Sequence, residues 1–193
     1  MSARLSRPEA WDLLCEWVSS QSLRTHCLAV ERSMRAMARR AGADEELWGL
    51  AGLLHDLDYE RFPDLETGHP RMVIAELERR EQPAEVVHAI AVHAPYLGVA
   101  PETEMDRALL AVDELSGFVV AVARVRPEGL TGMTPKSVKK KLKTPAFAAA
   151  VSREDVARGA ELSGMELDEL IALVIGALQE RADELLGTPD AAA

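Results

Sequence analysis

The sequence contains few cysteines. Cys15 and Cys27 are the two cysteines among 193 residues, and they form neither a CxxC pair nor a dense, even pattern. This spacing argues against a secreted disulfide scaffold and against cysteine ligands for a metal. We therefore predict that both cysteines are buried apolar residues.

Long apolar runs are also missing. The longest wholly apolar stretches are short, such as residues 118–123, and the N-terminal segment lacks the apolar core of a signal peptide. We therefore expect no membrane partner and a cytoplasmic location.

Positive charge is scarce. The 22 Lys and Arg residues against 32 Asp and Glu residues give a formal net charge of -10. An acidic protein repels a phosphate polymer, so extended DNA or RNA is not the expected partner. A small phosphorylated substrate remains compatible, because a metal ion or a local basic patch can reverse the field inside a pocket. The basic stretch at residues 136–143 could guide such a substrate, although charge runs usually form a solvated helix face.

The spacing of apolar residues predicts an all-α fold. Apolar residues recur at three and four places nearly everywhere, and no stretch alternates with period two. The length and the 48% hydrophobic content fit one domain with a sizeable core. We predict a single-domain helical bundle at residues 1–187 and a disordered tail at residues 188–193.

Caps, glycines and prolines predict where the helices begin and end. Ser6, Ser22 and Ser152 are predicted N-caps, and Gly42 and Gly164 are predicted helix stops. The predicted helices cover residues 7–19, 23–40, 44–57, 70–81, 83–93, 103–125, 135–142, 145–150, 153–162 and 167–186.

Two histidines and two aspartates lie in segments that look too apolar for solvated polar side chains. They are His26, His55, Asp56 and Asp113. A buried imidazole needs a partner, and an unpaired buried carboxylate is costly. A divalent cation held by residues from three helices would satisfy all four. Ordinary hydrogen bonds among the four residues are the alternative, and the residues by themselves leave both open.

Three short motifs carry a family resemblance. They are Arg24-Thr25-His26, Leu53-Leu54-His55-Asp56 and Asp113-Glu114-Leu115. Together they resemble the HD-domain superfamily of metal-dependent phosphohydrolases, of the HDIG-like type, over about residues 20–125. The resemblance implies an HD-type helical bundle with its metal-site core in that range. It also implies that the first histidine, the His-Asp doublet and the distal aspartate bind a divalent cation.

Two further histidines resemble the second-metal ligands of dinuclear members. They are His69, after Gly68, and His93, at the end of Ile90-Ala91-Val92-His93. The resemblance makes them candidate ligands of a second ion, with Asp56 bridging both ions; the alternative is one histidine that caps a helix start and one that is hydrogen-bonded at a helix end. Ala94 replaces a second consecutive histidine of several dinuclear members, and the GYP signature of cyclic-dinucleotide phosphodiesterases is missing, so that subfamily is disfavoured. Members that cleave dinucleoside polyphosphates have a more similar spacing. His88 is predicted to be structural.

The resemblance implies hydrolysis of a phosphoester or phosphoanhydride of a small nucleotide-like substrate. One or two divalent ions would activate the attacking water, with Fe, Mn, Zn, Co, Ni and Mg not distinguished. Arg24 is predicted to face the substrate or to be a surface arginine. Asp58 is the candidate for orienting the water or protonating the leaving group, provided that a loop beginning near residue 57 turns it inward.

Two other functions and one assembly remain open from the sequence. The same fold could serve as a dinuclear-iron oxygenase, or as a non-catalytic HD-like regulatory or binding module. The long apolar helices could also support a homodimer.

Overall fold

The computed structural model describes residues 4–186, and these form ten α-helices, one 3₁₀ helix and no strand. This confirms the predicted all-α class. Within the same residues, none of the helices has the length and apolarity needed to cross a membrane. The predicted disordered tail at residues 188–193 lies outside the described residues.

Most predicted helices match the structure within a few residues. The 3₁₀ helix spans Pro95–Leu97. The α-helices are α1 (Arg7–Trp17), α2 (Gln21–Ala41), α3 (Glu45–Leu54), α4 (Arg71–Arg79), α5 (Ala84–Val92), α6 (Glu104–Arg124), α7 (Pro135–Leu142), α8 (Arg153–Ser163), α9 (Leu167–Gln179) and α10 (Ala182–Leu186).

Two predicted helices are wrong. Residues 145–150 form consecutive turns, because Ala148 has a φ of 44°, which a right-handed helix does not contain. The Arg153 guanidinium donates to the carbonyl oxygens of Phe147, Ala148 and Val151 in this segment. The predicted helix at residues 167–186 is two helices, since α9 ends at Gln179 and α10 starts three residues later.

The cap of α2 also differs from the prediction. Ser20, and not Ser22, is the N-cap, since its hydroxyl accepts from the Leu23 N–H, so the helix begins at Gln21. Gly42 ends the same helix in the left-handed conformation with φ of 68°, as predicted.

Helices α2 and α6 form the centre of the core. Helix α2 packs against α3, α6 and α9, and α6 also packs against α5 and α8. Their fully buried side chains include Met34, Leu109 and Phe118. Cys27 is buried in this core as well, whereas Cys15 is half-buried, and both are free thiols.

Helices α2 and α3 lie in close backbone contact at Gly52. A Cβ atom added there would lie 2.9 Å from the carbonyl oxygen of Val30, a distance that real Cβ atoms essentially never show. The glycine therefore allows this contact, and the contact sets the C-terminal end of α3 beside α2.

The basic stretch at residues 136–143 forms most of α7. Val138 is buried against the rest of the fold, and Lys139 pairs with Asp168 with Nζ–Oδ2 at 2.8 Å. This arrangement supports the interpretation of the stretch as a solvated helix face.

Candidate metal centre

The chain leaves α3 after Leu54 and continues through a series of turns. These turns place the His-Asp doublet beside α2 and α6, and two further segments add the remaining histidines. The structure thereby brings together all six predicted ligands: His26 on α2, His55 and Asp56 after α3, His69 before α4, His93 at the end of α5, and Asp113 on α6.

The first ligand group faces the Oδ2 atom of Asp56. This oxygen lies 3.6 Å from Nε2 of His26 and 3.5 Å from Nε2 of His55. Oδ1 of Asp113 lies 3.0 and 3.3 Å from the same two nitrogens, which are 3.1 Å apart. Ligands of one first-row divalent ion lie about 3.0–3.4 Å apart, because each is about 2.1 Å from the ion. The donor atoms therefore fit a single divalent ion.

The second ligand group faces the other oxygen of the same aspartate. Oδ1 of Asp56 lies 3.6 Å from Nε2 of His69 and 3.6 Å from Nε2 of His93. The two oxygens of the Asp56 carboxylate thus face two different groups, and each group contains two imidazole nitrogens. This is the arrangement that a carboxylate bridging two ions requires.

Hydrogen bonds from Nδ1 orient three of the four histidines in the cluster. Nδ1 of His55 faces the Gly52 carbonyl at 2.8 Å, and Nδ1 of His93 faces the Ile90 carbonyl. Nδ1 of His69 lies 2.7 Å from Oδ1 of Asp58. A neutral imidazole that donates from Nδ1 presents the Nε2 lone pair, which here points into the cluster. Such lone pairs, together with the carboxylates, suit a shared divalent cation.

The charges of the cluster agree with this interpretation. Burial opposes protonation of His55, but the carboxylates of Asp56 and Asp113 outweigh it and raise the pKa of His55 to about 9. Burial acts to raise the pKa of Asp56, yet the facing His55, His93 and His26 hold it well below its usual value. The pKa of Asp113 is likewise lowered against burial by His55 and His26. Both carboxylates stay ionised and favour positive charge between them.

Asp58 does not face the cluster, contrary to its predicted role. A loop does turn it inward, but its side chain is fully buried behind His69. One oxygen accepts from His69, and the other accepts from the Val73 N–H at 2.8 Å. Because both oxygens are engaged, Asp58 orients a ligand and is not placed to contact a water or a leaving group.

Arg24 is also placed differently from either expectation. Its Nε donates to the Val18 carbonyl at 2.7 Å, and an Nη donates to the Cys15 carbonyl at 2.9 Å. The guanidinium therefore binds the last carbonyl groups of α1, where a cation also offsets the negative end of the helix dipole. This fastens α1 to α2. His88 lies away from the cluster, with Nδ1 at 3.1 Å from Oδ2 of Asp106.

A cleft of about 250 Å³ gives access to the cluster. Besides five of the ligands, the cleft is lined by residues that were not predicted as site residues, among them Tyr59, Leu65, Tyr96 and Glu114. Burial and then the neighbouring Asp113 raise the pKa of Glu114 to about 6. Glu114 directly follows the candidate ligand Asp113 in the sequence, and this position could have indicated that Glu114 lies at the site.

Gly117 is a further residue that the sequence reasoning missed. It lies inside α6, where a glycine costs about 1 kcal/mol relative to alanine. A Cβ atom at this position would lie 3.3 Å from Nδ1 of His26. The glycine therefore leaves room for the first ligand, and its place inside a long helix was the signal.

Comparisons with known proteins agree with this site. Residues 23–116 match the sequence model of the family described as HD domain, and this range contains all six candidate ligands. Ribonuclease Y of Cutibacterium acnes (strain DSM 16379 / KPA171202) is 34% identical over 97 residues. The matched part covers 50% of this chain and 18% of that enzyme. No solved structure matches the chain significantly.

Proposed function

We propose, from the match of residues 23–116 to the family described as HD domain, that the protein is a metal-dependent phosphohydrolase. Its reaction is the cleavage of a phosphoester or phosphoanhydride of a small nucleotide-like molecule. The observation that carries the proposal is the carboxylate of Asp56, whose two oxygens face two separate groups of imidazole nitrogens.

The residues of the cluster fit two divalent ions. His26, His55 and Asp113 would hold one, His69 and His93 the other, and Asp56 both. When bound, such a pair supplies Lewis acidity at a phosphoryl oxygen and makes water more acidic.

The chain contributes a preformed ligand geometry. The acceptors behind His55, His69 and His93 fix the imidazole planes before any ion arrives. His69 is the most firmly oriented of the three, because its acceptor Asp58 is itself held by the backbone N–H of Val73. Ligands that are already oriented lose little conformational freedom on binding, which strengthens metal affinity and positions a phosphate reproducibly.

The size of the cleft supports a small substrate. A volume of about 250 Å³ suits a small molecule, and the formal net charge of -10 disfavours a nucleic-acid polymer. The partial similarity to a protein named ribonuclease Y makes a short phosphodiester one of the substrate classes to include in a test.

A second candidate function has an observation of its own. The second ligand group consists of two histidines and one carboxylate, His69, His93 and Asp56. Two histidines and a carboxylate with open positions also suit ferrous iron in oxygenases. A dinuclear-iron oxygenase is therefore the competing proposal, and a non-catalytic binding module is the third.

The first experiment is elemental analysis of the purified protein, followed by a hydrolysis screen with the metal that is found. The screen includes nucleoside mono-, di- and polyphosphates and a dinucleotide. We expect about two metal ions per chain, because the two oxygens of Asp56 face two ligand groups. We also expect release of phosphate, or of a mononucleotide from the dinucleotide, that a chelator abolishes.

Three outcomes would contradict the proposal. A loaded protein that consumes dioxygen but releases no phosphate would favour the oxygenase. A chain without metal, and without activity after reconstitution, would favour the binding module. Phosphate release that persists in the variant Asp56→Ala would place the active site elsewhere.

A further inference from the structure

Large exposed hydrophobic side chains are concentrated at the mouth of the cleft. Among residues 4–186, four such side chains are exposed: Tyr59 at 49%, Leu65 at 50%, Tyr96 at 46% and Val125 at 56%. The first three line the cleft that contains the ligand cluster. They include both tyrosines of the whole chain. Apolar side chains gathered at a polar cleft mark a surface that binds a ligand.

The two tyrosine rings are held in place by a metal ligand. The Tyr59 ring packs edge-on against the His69 ring, with centroids 5.1 Å apart and planes at 80°. The Tyr96 hydroxyl donates to the His69 carbonyl at 3.0 Å. The loop carrying Leu65 is fixed as well, because the Leu65 carbonyl accepts from Arg71 at 2.8 Å. These side chains are thus half exposed and positioned, so little entropy is lost when a ligand covers them.

We propose that Tyr59, Leu65 and Tyr96, here called the apolar rim, bind the base of a nucleoside phosphate whose phosphate lies at the ligand cluster. The location of the phosphate rests on the proposed function. Recognition of the base rests on the rim itself.

The chemistry of the cleft favours a nucleobase over a longer apolar group. The inner lining is ionic, with His26, Asp56 and Asp113 among its residues. An acyl chain would need a continuous apolar channel, and these ionic side chains interrupt one. A short planar group can stack on a tyrosine ring at the rim while an attached phosphate reaches inward. Stacking also tolerates the polar edge of a base, which stays in water.

The test compares two probes that differ in the base alone. Adenosine 5′-monophosphate and ribose 5-phosphate are titrated calorimetrically into the 193-residue chain with its measured metal content. Stacking of one base on an aromatic side chain is worth about 5- to 150-fold in affinity. We expect the wild-type chain to prefer the adenosine compound by a factor in this range. Chromatography of the recovered probe reports hydrolysis in the same sample.

The variants separate the ring from its other contacts. Leu65→Ala and Tyr96→Ala should each reduce the preference several-fold and leave ribose 5-phosphate binding unchanged. Tyr96→Phe retains the ring and loses the hydroxyl that contacts His69, so it should keep the preference. Val125→Ala is the matched control, because it shortens the exposed hydrophobic residue outside this cleft.

The outcomes distinguish this inference from the proposed function. Equal binding of both probes by the wild-type chain would overturn the inference, even if phosphate is released. A preference that survives Leu65→Ala and Tyr96→Ala at unchanged metal content would overturn it too. A preference that depends on the rim, in a protein that hydrolyses nothing, would support base recognition and contradict the phosphohydrolase.

Discussion

Helix α2 contributes to two clusters that bury carboxylates, and the two neutralise the charge in different ways. At Glu31, whose side chain is 1% exposed, guanidinium groups of Arg7 and Arg35 both lie at 3.1 Å. The second cluster is the candidate metal centre, to which α2 contributes His26. Within the described part of the chain, every basic side chain that lies within 4.0 Å of Asp56 is a histidine.

This difference separates a structural ion pair from a binding site. A guanidinium stays charged at any physiological pH, so the Glu31 cluster is complete with residues of the chain. An imidazole can lose its proton, and one that then donates from Nδ1 offers an Nε2 lone pair, so the positive charge beside Asp56 can come from a bound cation in place of ring protons. The cluster at Asp56 therefore has the composition of a site that can exchange ring protons for a cation.

The largest expected effect comes from removing the carboxylate that both ligand groups share. Asp56→Ala should bring the metal content close to zero and reduce turnover by far more than the roughly 10- to 100-fold loss typical of outer partners. Elemental analysis and phosphate release measure the two effects. The variant should remain folded by circular dichroism; a metal ratio near two in this variant would show that Asp56 is not the shared ligand.

Breaking the other cluster should change stability and leave the metal unaffected. Glu31→Gln removes the charge between two guanidinium groups and should lower the free energy of unfolding by about 2–4 kcal/mol. The loss is limited because Arg35 also pairs with Glu46 at 2.6 Å. Urea denaturation measures the change. A reduced metal ratio in the folded variant would show that the two clusters are coupled.

The orientation of His69 provides a finer test. Asp58→Asn replaces a buried charged acceptor by an amide, so it should weaken the second ion about 10- to 100-fold and leave the first unchanged. Metal titration should then show two separate binding steps. Equal weakening of both steps would indicate that Asp58 supports the whole centre and not one ligand.

The smallest expected effect concerns a third buried carboxylate, which is neutralised by backbone N–H groups. Burial acts to raise the pKa of Asp106, but N–H bonds from Thr103 and Glu102 lower it overall, with help from His88. Its ionised form stabilises the native state above the unfolded pKa of about 3.9, and this contribution is lost as the pH falls through the lower folded pKa.

Asp106→Asn tests this contribution. The substitution should cost about 1–2 kcal/mol at pH 7, as for other helix caps. The difference from the wild-type chain should shrink as the pH falls below 4. Urea denaturation at pH 7 and pH 3 measures it, and a difference that does not depend on pH would exclude the charge of Asp106 as the cause.

Most helices and the identity of the cluster residues can be predicted from the sequence. Periodicity and caps are local signals, which is why α7 is predicted with its observed bounds. The histidines and aspartates of the cluster can be recognised because they interrupt apolar segments. Their order and spacing along the chain also match the motifs of the HD-domain family. The match of residues 23–116 to the HD domain confirms the family resemblance.

The contacts that determine the role of a polar residue could not be predicted from the sequence. Arg24 and Asp58 lie close to ligands in the sequence, yet one binds carbonyl groups of α1 and the other supports His69. Arg24 depends on where α1 ends and Asp58 on where α4 begins, and the position of a neighbouring helix is a tertiary property. Glu31 is likewise of a residue type that is mostly exposed, and its burial requires Arg7 from another helix.

The close helix contact at Gly52 would have a recognisable effect in a genetic experiment. Its missing side chain permits the contact with Val30, and its carbonyl accepts from His55. A screen for inactive alleles would recover substitutions at Gly52 together with those of the ligands, although this residue offers no side chain to an ion or a substrate. Allele severity would therefore follow side-chain volume at position 52, with alanine the mildest, whereas at the ligands it would follow chemical type.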